Sequence, residues 1–301
     1  MLNGGEVLNK LSFSYFPGCS QESSAREYGL STEAVAKALC IELKELPDWN
    51  CCGASSAHMT NDLLSILLPA RNLAIASRIG KDLLVPCAAC YSRLRSAQMR
   101  LSEDEELSKK VAQIIGESPI FSGQIRNLLE VIMKDVDLSS IKRWKRNDLS
   151  GLKAVPYYGC LLVRPRELCS MDSVENPTLL DKLLETLGVE VMKWSYKTDC
   201  CGGSLSLSRP DLVERLVTVL FKRAKEAGAN CIVTVCSMCA ANLEMRQVPG
   251  KLSFCIHYNI PVFYFTELLG IYLGIGGSRR WLESHIIDPI PLVENAGISL
   301  L

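Results

Sequence analysis

Apolar residues recur with helical spacing from Ser24 to Leu39 and from Leu63 to Ile79, and short runs of strand character bracket both stretches. Those runs are Ser12 to Phe16, Glu42 to Leu46 and Asp82 to Val85, with a further helical stretch from Tyr91 to Leu101. The second part of the chain repeats the order. It reads as strand from Ala154 to Tyr158, helix from Thr178 to Leu187, strand from Val189 to Trp194, helix from Asp211 to Glu226, and strand from Cys231 to Val235. Strands that alternate with helices predict an α/β fold with mainly parallel sheets, because a parallel crossover needs a long return, usually a helix. The apolar stretch from Val262 to Gly276 is 15 residues long and contains Glu267. That is short of the ~20 residues of a spanning helix, so it reads as a strand followed by a buried helix, with a loop from Gly274 to Gly277.

A cysteine pattern follows the same division. Cys19 precedes the vicinal pair Cys51 and Cys52 and then Cys87-Ala-Ala-Cys90, while Cys160 precedes Cys200 and Cys201 and then Cys236-Ser-Met-Cys239. The offset between copies is 141 residues at the first cysteine and 149 at both later elements. A single insertion of 8 therefore relates them, and the flanks agree: Tyr15-Phe-Pro-Gly-Cys19 matches Tyr157-Tyr-Gly-Cys160, and both vicinal pairs precede a glycine. The repeat divides the chain into a first domain over residues 10–136, a linker over 137–153 and a second domain over 154–301. Lys142, Arg143, Lys145 and Arg146 make the linker read as a solvated connecting segment. In both copies the cysteines fall at strand carboxyl ends, where α/β sheets place their sites, and two such halves can turn them toward a shared crevice.

Composition narrows the chemistry. The 301 residues are 48% hydrophobic, enough for two cores, and 33 basic residues balance 33 acidic ones, so no net field draws nucleic acid or an anionic membrane. The amino terminus shows no secretory pattern, and a cytoplasmic location is expected. Fourteen cysteines against three histidines, His58, His257 and His285, mean that a large metal complement must be held by thiolate. Iron–sulfur and zinc both remain open on that ground. A Cys-x-x-Cys at a helix start turns both sulfurs to one ligand, and the helix dipole favours thiolate. Vicinal cysteines diverge and suit a larger object, and five matched cysteines per half exceed the four of a zinc site or an ordinary cluster. Cys40, Cys169, Cys231 and Cys255 have no counterpart across the repeat and read as buried apolar residues. His58, six residues after Cys52, is a candidate proton donor, and Lys197 and Asp199 lie beside the second vicinal pair.

The twin pattern of one Cys, then Cys-Cys-Gly, then Cys-x-x-Cys resembles the cysteine-rich CCG domain. Its tandem form, from about Phe13 to Gly270, resembles the B subunit of heterodisulfide reductase. The phrases Tyr158-Gly-Cys160-Leu-Leu-Val-Arg164-Pro165, Glu175-Asn176-Pro177 and Pro261-Val-Phe-Tyr-Phe-Thr266 carry that likeness. The opening Tyr15-Phe-Pro-Gly-Cys19 and Pro47-Asp-Trp-Asn-Cys51-Cys52 look more like bacterial and sulfur-metabolising forms. The resemblance implies two pseudo-symmetric CCG-domain halves with clusters at strand C-terminal ends. It further implies two non-cubane 4Fe-4S clusters, one held by Cys19, Cys51, Cys52, Cys87 and Cys90 and the other by Cys160, Cys200, Cys201, Cys236 and Cys239, with these cysteines catalytic through the clusters. The implied activity is disulfide reduction, with the coenzyme M–coenzyme B heterodisulfide or a related sulfur compound as substrate. The implied partners are a ferredoxin-type protein like the C subunit of heterodisulfide reductase, and a flavoprotein like its A subunit. An electron-transfer subunit of a lactate, glycolate or succinate oxidoreductase is an alternative, and a zinc-stabilised scaffold protein is another.

Overall fold

The computed structural model describes residues 10–54, 60–169, 171–247 and 258–301. Among these residues eight strands form two four-stranded sheets. Strands β1 (Leu11–Tyr15), β2 (Ile41–Glu45), β3 (Leu83–Leu84) and β4 (Ile125–Arg126) make the first, in the order β2-β1-β3-β4. Strands β5 (Lys153–Tyr157), β6 (Glu190–Val191), β7 (Cys231–Thr234) and β8 (Val262–Tyr264) make the second, in the order β6-β5-β7-β8. All pairings are parallel. Each sheet thus has its topological switch beside its first strand, where the connections leave to opposite sides and open a crevice at the carboxyl ends.

The helices form where the apolar spacing places them. The helix Asp62–Ile79 starts on Asn61, whose side chain accepts from Leu64 N at 2.9 Å, and stops at Gly80 in the left-handed conformation. In each half the Cys-x-x-Cys opens a helix, Ala88–Glu103 after Cys87 and Ser237–Met245 after Cys236. Both first cysteines occupy the N-cap, at the positive end of the helix dipole. The stretch read as strand and buried helix is β8 followed by Phe265–Tyr272, every residue of which is buried.

The structure departs from the pattern-based reading at several places, and the strand expected from Asp82 to Val85 is the two-residue β3. The strand expected from Val189 to Trp194 shrinks to two residues, and β4 lies in a segment whose pattern gave no strand. Within 137–153, a helix Leu138–Arg143 buries Ile141 and the backbone N–H groups of Arg146 and Asn147 donate to Tyr272 O, although Lys142, Arg143, Lys145 and Arg146 themselves are exposed. Cys40 is exposed at φ 58, not buried, because it turns the chain out of the helix Arg26–Ala38 into β2. Cys169 and Cys231 are buried as expected, and Cys255 lies outside the described residues.

The halves meet through the helix Arg26–Ala38, which packs on Phe265–Tyr272. Tyr28 stacks on Tyr264 with centroids 4.2 Å apart, and Ser31 and Thr266 hydroxyls share a hydrogen bond of 2.7 Å. The Tyr28 hydroxyl lies 3.2 Å from the carbonyl oxygens of both Pro86 and Val235. Those carbonyls immediately precede Cys87 and Cys236, so one buried tyrosine from the first half fixes the approach of both Cys-x-x-Cys helices.

Candidate thiolate site between the halves

Each half gathers its five cysteines at the carboxyl end of its sheet. In the first, the Cys19 thiol donates to Cys51, which also accepts from Cys52 and from the Gly53 N–H at 3.4 Å. These bonds hold the Cys51 thiol down to about 2 against the effect of burial, while the same bond pushes Cys19 up. Cys52 and Cys90 lie 3.0 Å apart, sulfur to sulfur. The second half repeats the arrangement: Cys160 donates to Cys200, the Gly202 N–H lies 3.2 Å from the Cys200 sulfur, and the Cys200 thiol is held down to about 6. Cys201 and Cys239 lie 3.5 Å apart. Both separations exceed the ~2.05 Å of a disulfide, and every described cysteine is a free thiol.

The two sets touch at their deep ends. Cys236 lies beside Cys87 across the interface, and its effect leads those that hold the Cys87 thiol well below its ordinary range. Ser237 Oγ, from the second half, donates to Cys87 Sγ at 3.3 Å. A cavity over the second set is lined by Cys160, Cys200, Cys201, Cys236 and Cys239, and its far wall is Ala88 and Ala89 from the first half. Cys19 and Cys200 reach solvent, Cys51 and Cys160 are half-buried, and the other six, Cys87, Cys90, Cys236 and Cys239 among them, are buried.

Two glycines show how tightly the backbone wraps these sulfurs. Gly18 (φ +77) and Gly159 (φ +68) stand at equivalent positions before Cys19 and Cys160, and a Cβ on either would sit 3.0 Å from the sulfur of Cys90 or Cys239. Only glycine combines that conformation with that clearance. The donors brought together are all sulfur, several with thiolate character, and soft anionic sulfur is the donor chemistry of iron–sulfur clusters and of zinc. Five sulfurs in each set fit the cluster that the resemblance implies.

All ten matched cysteines are therefore placed in two sets that meet. His58 lies outside the described residues. Lys197 is bound to Asp181 at 2.5 Å and braces the loop of Pro177, and Asp199 accepts from Tyr157 through its backbone at 2.6 Å. Sequence reasoning missed His285. Its ring is wedged between Glu244 (2.5 Å) and Glu267 (2.9 Å), with side chains exposed by 1%, 7% and 0%. Glu244 and Glu267 stand in apolar helical stretches, the one signal that could have flagged them as buried charges needing a partner.

A model of the cysteine-rich CCG domain matches residues 13–95 and 154–244 of the chain. The chain is 28% identical over 283 residues to the 8-methylmenaquinol:fumarate reductase membrane anchor subunit of Wolinella succinogenes, covering 93% of this chain and 98% of that one. It is 27% identical to the B subunit of the ferredoxin/F(420)H(2)-dependent CoB-CoM heterodisulfide reductase of Methanosarcina acetivorans, covering 92% and 94%. A crystal structure of a hypothetical protein from Helicobacter pylori shares the fold, with a TM-score of 0.69 at 11% identity, and the chain spans about half its length (53%). Among the described residues no helix is long and apolar enough to cross a membrane.

Proposed function

Because the chain belongs to the CCG cysteine-rich domain family and is related at low identity to proteins like the B subunit of heterodisulfide reductase, we propose that it carries out two-electron disulfide and thiol redox chemistry within a larger complex. The observation that carries this reading is the junction of the two five-thiol sets across the interface, where Ser237 of the second half donates to Cys87 of the first at 3.3 Å and Ala88 and Ala89 of the first half wall the cavity over the second set. Cys19, Cys51, Cys52, Cys87 and Cys90 would hold one non-cubane 4Fe-4S cluster, and Cys160, Cys200, Cys201, Cys236 and Cys239 the other. When bound, the pair supplies two one-electron centres, which match the two electrons that opening an S–S bond consumes. One disulfide, two electrons and two protons give two thiols.

The chain's own residues prepare the place. Ala88, Ala89, Leu161 and Met238 wall the cavity with apolar surface and exclude water from the sulfurs. Tyr28 and the Cys-x-x-Cys helices fix the spacing of the two sets. The sequence has neither a ferredoxin-type cysteine run nor a nucleotide-binding glycine loop. Electrons would come from a ferredoxin-type partner like the C subunit of heterodisulfide reductase, itself fed by a flavoprotein like its A subunit, and the substrate would be the coenzyme M–coenzyme B heterodisulfide or a related sulfur compound.

Anaerobic purification from the native host tests the reading. It should yield about eight irons per chain with matching acid-labile sulfide, and disulfide-reducing activity in the complex. Stoichiometric zinc without iron would overturn it. The similarity to a fumarate reductase subunit favours a second reading, an electron-transfer subunit of another oxidoreductase. A co-purifying dehydrogenase and no disulfide turnover would select it.

The unmatched cysteines give a control. Burial pushes the thiols of Cys169 and Cys231 up to about 11 and about 12, which keeps them neutral and poor ligands. Cys169→Ser and Cys231→Ser should retain full iron content while losing roughly 1–3 kcal/mol of stability through the buried hydroxyl. Cys40→Ser, at an exposed position, should change neither. Loss of half the iron in any of the three would mean that the ligand sets are wrongly drawn.

A further inference from the structure

The ten cysteines match across the repeat, but the residues around them do not. With the offset of 149, position 93 pairs with 242 and position 88 with 237. Arg93 stands one helical turn beyond Cys90, partly buried, within electrostatic reach of Cys52. Its Nε is buried and has no hydrogen-bond partner among the described residues. At the same station beyond Cys239, Asn242 is neutral: its Nδ2 donates to Cys201 O at 2.5 Å, its Oδ1 accepts from Ser206 at 2.6 Å, and its amide also hydrogen-bonds the Cys201 thiol.

The second difference crosses the interface. Ser237 donates to Cys87 at 3.3 Å, whereas its counterpart Ala88 has no hydroxyl to return to Cys236. A third difference acts in the same sense. Asp199 puts a negative charge next to Cys200 where Asn50 precedes Cys51, although Asp199 is exposed and its charge is screened. Of the cations near the second set, Lys197 is paired with Asp181 and Arg164 with Glu175, and Arg246, two turns beyond Cys239, donates to Ser206 O.

Positive charge and hydrogen bonds to ligand sulfur stabilise an added electron, and negative charge opposes it. Resting on the cluster reading above, we propose that the two centres are electronically unequal, with Arg93 and Ser237 as positioning residues that make the first-half centre the one reduced first. The arginine carries the larger share, being a full charge in a partly desolvated place with no carboxylate paired to it among the described residues, and it outweighs the neutral hydrogen bond that Asn242 gives to Cys201 in the second half. The asymmetry gives a nearly two-fold-symmetric pair a defined order of filling.

An anaerobic redox titration of the iron-loaded protein, followed by absorbance and electron paramagnetic resonance, tests this. Wild type should titrate in two separate one-electron steps. Cys87→Ser and Cys236→Ser, each leaving one centre intact, assign the steps to halves. Arg93→Asn, which copies Asn242, should lower the first step by at least a tenfold change in equilibrium constant, about 59 mV for one electron, and leave the second step in place. Ser237→Ala, which copies Ala88 and is too small a change to unfold the chain, should move the same step in the same direction by less. Asn242→Arg should raise the second step and narrow the gap. Full iron with coincident steps, or a gap that neither Arg93→Asn nor Ser237→Ala alters, overturns the proposed asymmetry while the cluster reading stands. Protein without iron overturns both.

Discussion

Cys87→Ser and Cys236→Ser should each lower disulfide-reducing turnover by at least about two orders of magnitude, in line with residues that act as a unit, while the opposite half keeps its iron signal. The expectation follows from where these two cysteines stand. Both are buried at the N-caps of their Cys-x-x-Cys helices, and Ser237, the neighbour of Cys236, donates to Cys87 across the interface. Opening a disulfide takes two electrons and creates two sulfurs that must each be received. A single one-electron centre facing an empty partner can do neither half of that alone. The alternative arrangement, two independent sites, makes a different forecast: each variant would keep about half of the wild-type rate. Iron content measured on the same samples separates loss of a centre from loss of the whole fold. A half-rate enzyme with half its iron would require the shared site to be abandoned.

His285→Leu should destabilise the iron-loaded protein by about 3–5 kcal/mol, because it strands buried carboxylates without their counter-ion. Burial works against a charged imidazole here, but the charge of Glu267 and the hydrogen bonds to Glu244 and Glu267 overcome it and hold the His285 pKa well above its ordinary value. The remaining carboxylate oxygens accept from the backbone, Glu244 from Ile286 N and Glu267 from Tyr264 N, at 2.9 and 2.8 Å. Tyr264 in turn stacks on Tyr28, so the cluster of charge braces the wall that holds the two cysteine sets together.

The sign of the pH dependence is fixed by that shift. A group whose folded pKa is raised stabilises fully below its unfolded pKa, ~6.5 for histidine. That contribution is lost as pH rises through the higher folded value. Urea unfolding of the wild type across the alkaline range should therefore show a decline that His285→Leu lacks. The triple variant His285→Leu, Glu244→Gln, Glu267→Gln should recover part of the lost stability by removing the stranded charges. A His285→Leu protein as stable as wild type, with an unchanged pH profile, would show that the ring carries no charge there.

Much of this molecule was legible in its sequence because the deciding signals are local. Helical periodicity over Leu63 to Ile79 and Asp211 to Glu226 gave helices to within a residue. The order of strands and helices gave parallel sheets, since short parallel neighbours cannot be joined otherwise. The repeated spacing of cysteines gave the membership of both sets, and the apolar run at Val262 gave a strand and a buried helix. Strands of two residues, β3, β4 and β6, carry too little alternation to be delimited by pattern. The helix at Leu138–Arg143 was hidden because its exposed basic residues dominate a short stretch, and Cys40 was misread because residue type says nothing of the turn it must make.

What only the tertiary structure decided is how the two halves dock. Ser237 meets Cys87 across 150 residues of chain, and Tyr28 meets Val235 across 207. No periodicity spans such distances; they are fixed by complementary surfaces that exist only after both sheets have formed. The same holds for His285, an ordinary polar residue in the sequence whose ring is enclosed once Glu244 and Glu267 close on it from two helices. It holds too for Arg93, whose position one turn past Cys90 can be counted in the sequence, but whose buried Nε, without a partner among the described residues, cannot. The sequence determined which atoms can bind; the packing determined which of them face each other and in what dielectric, and charge interactions depend on that setting more than on residue type.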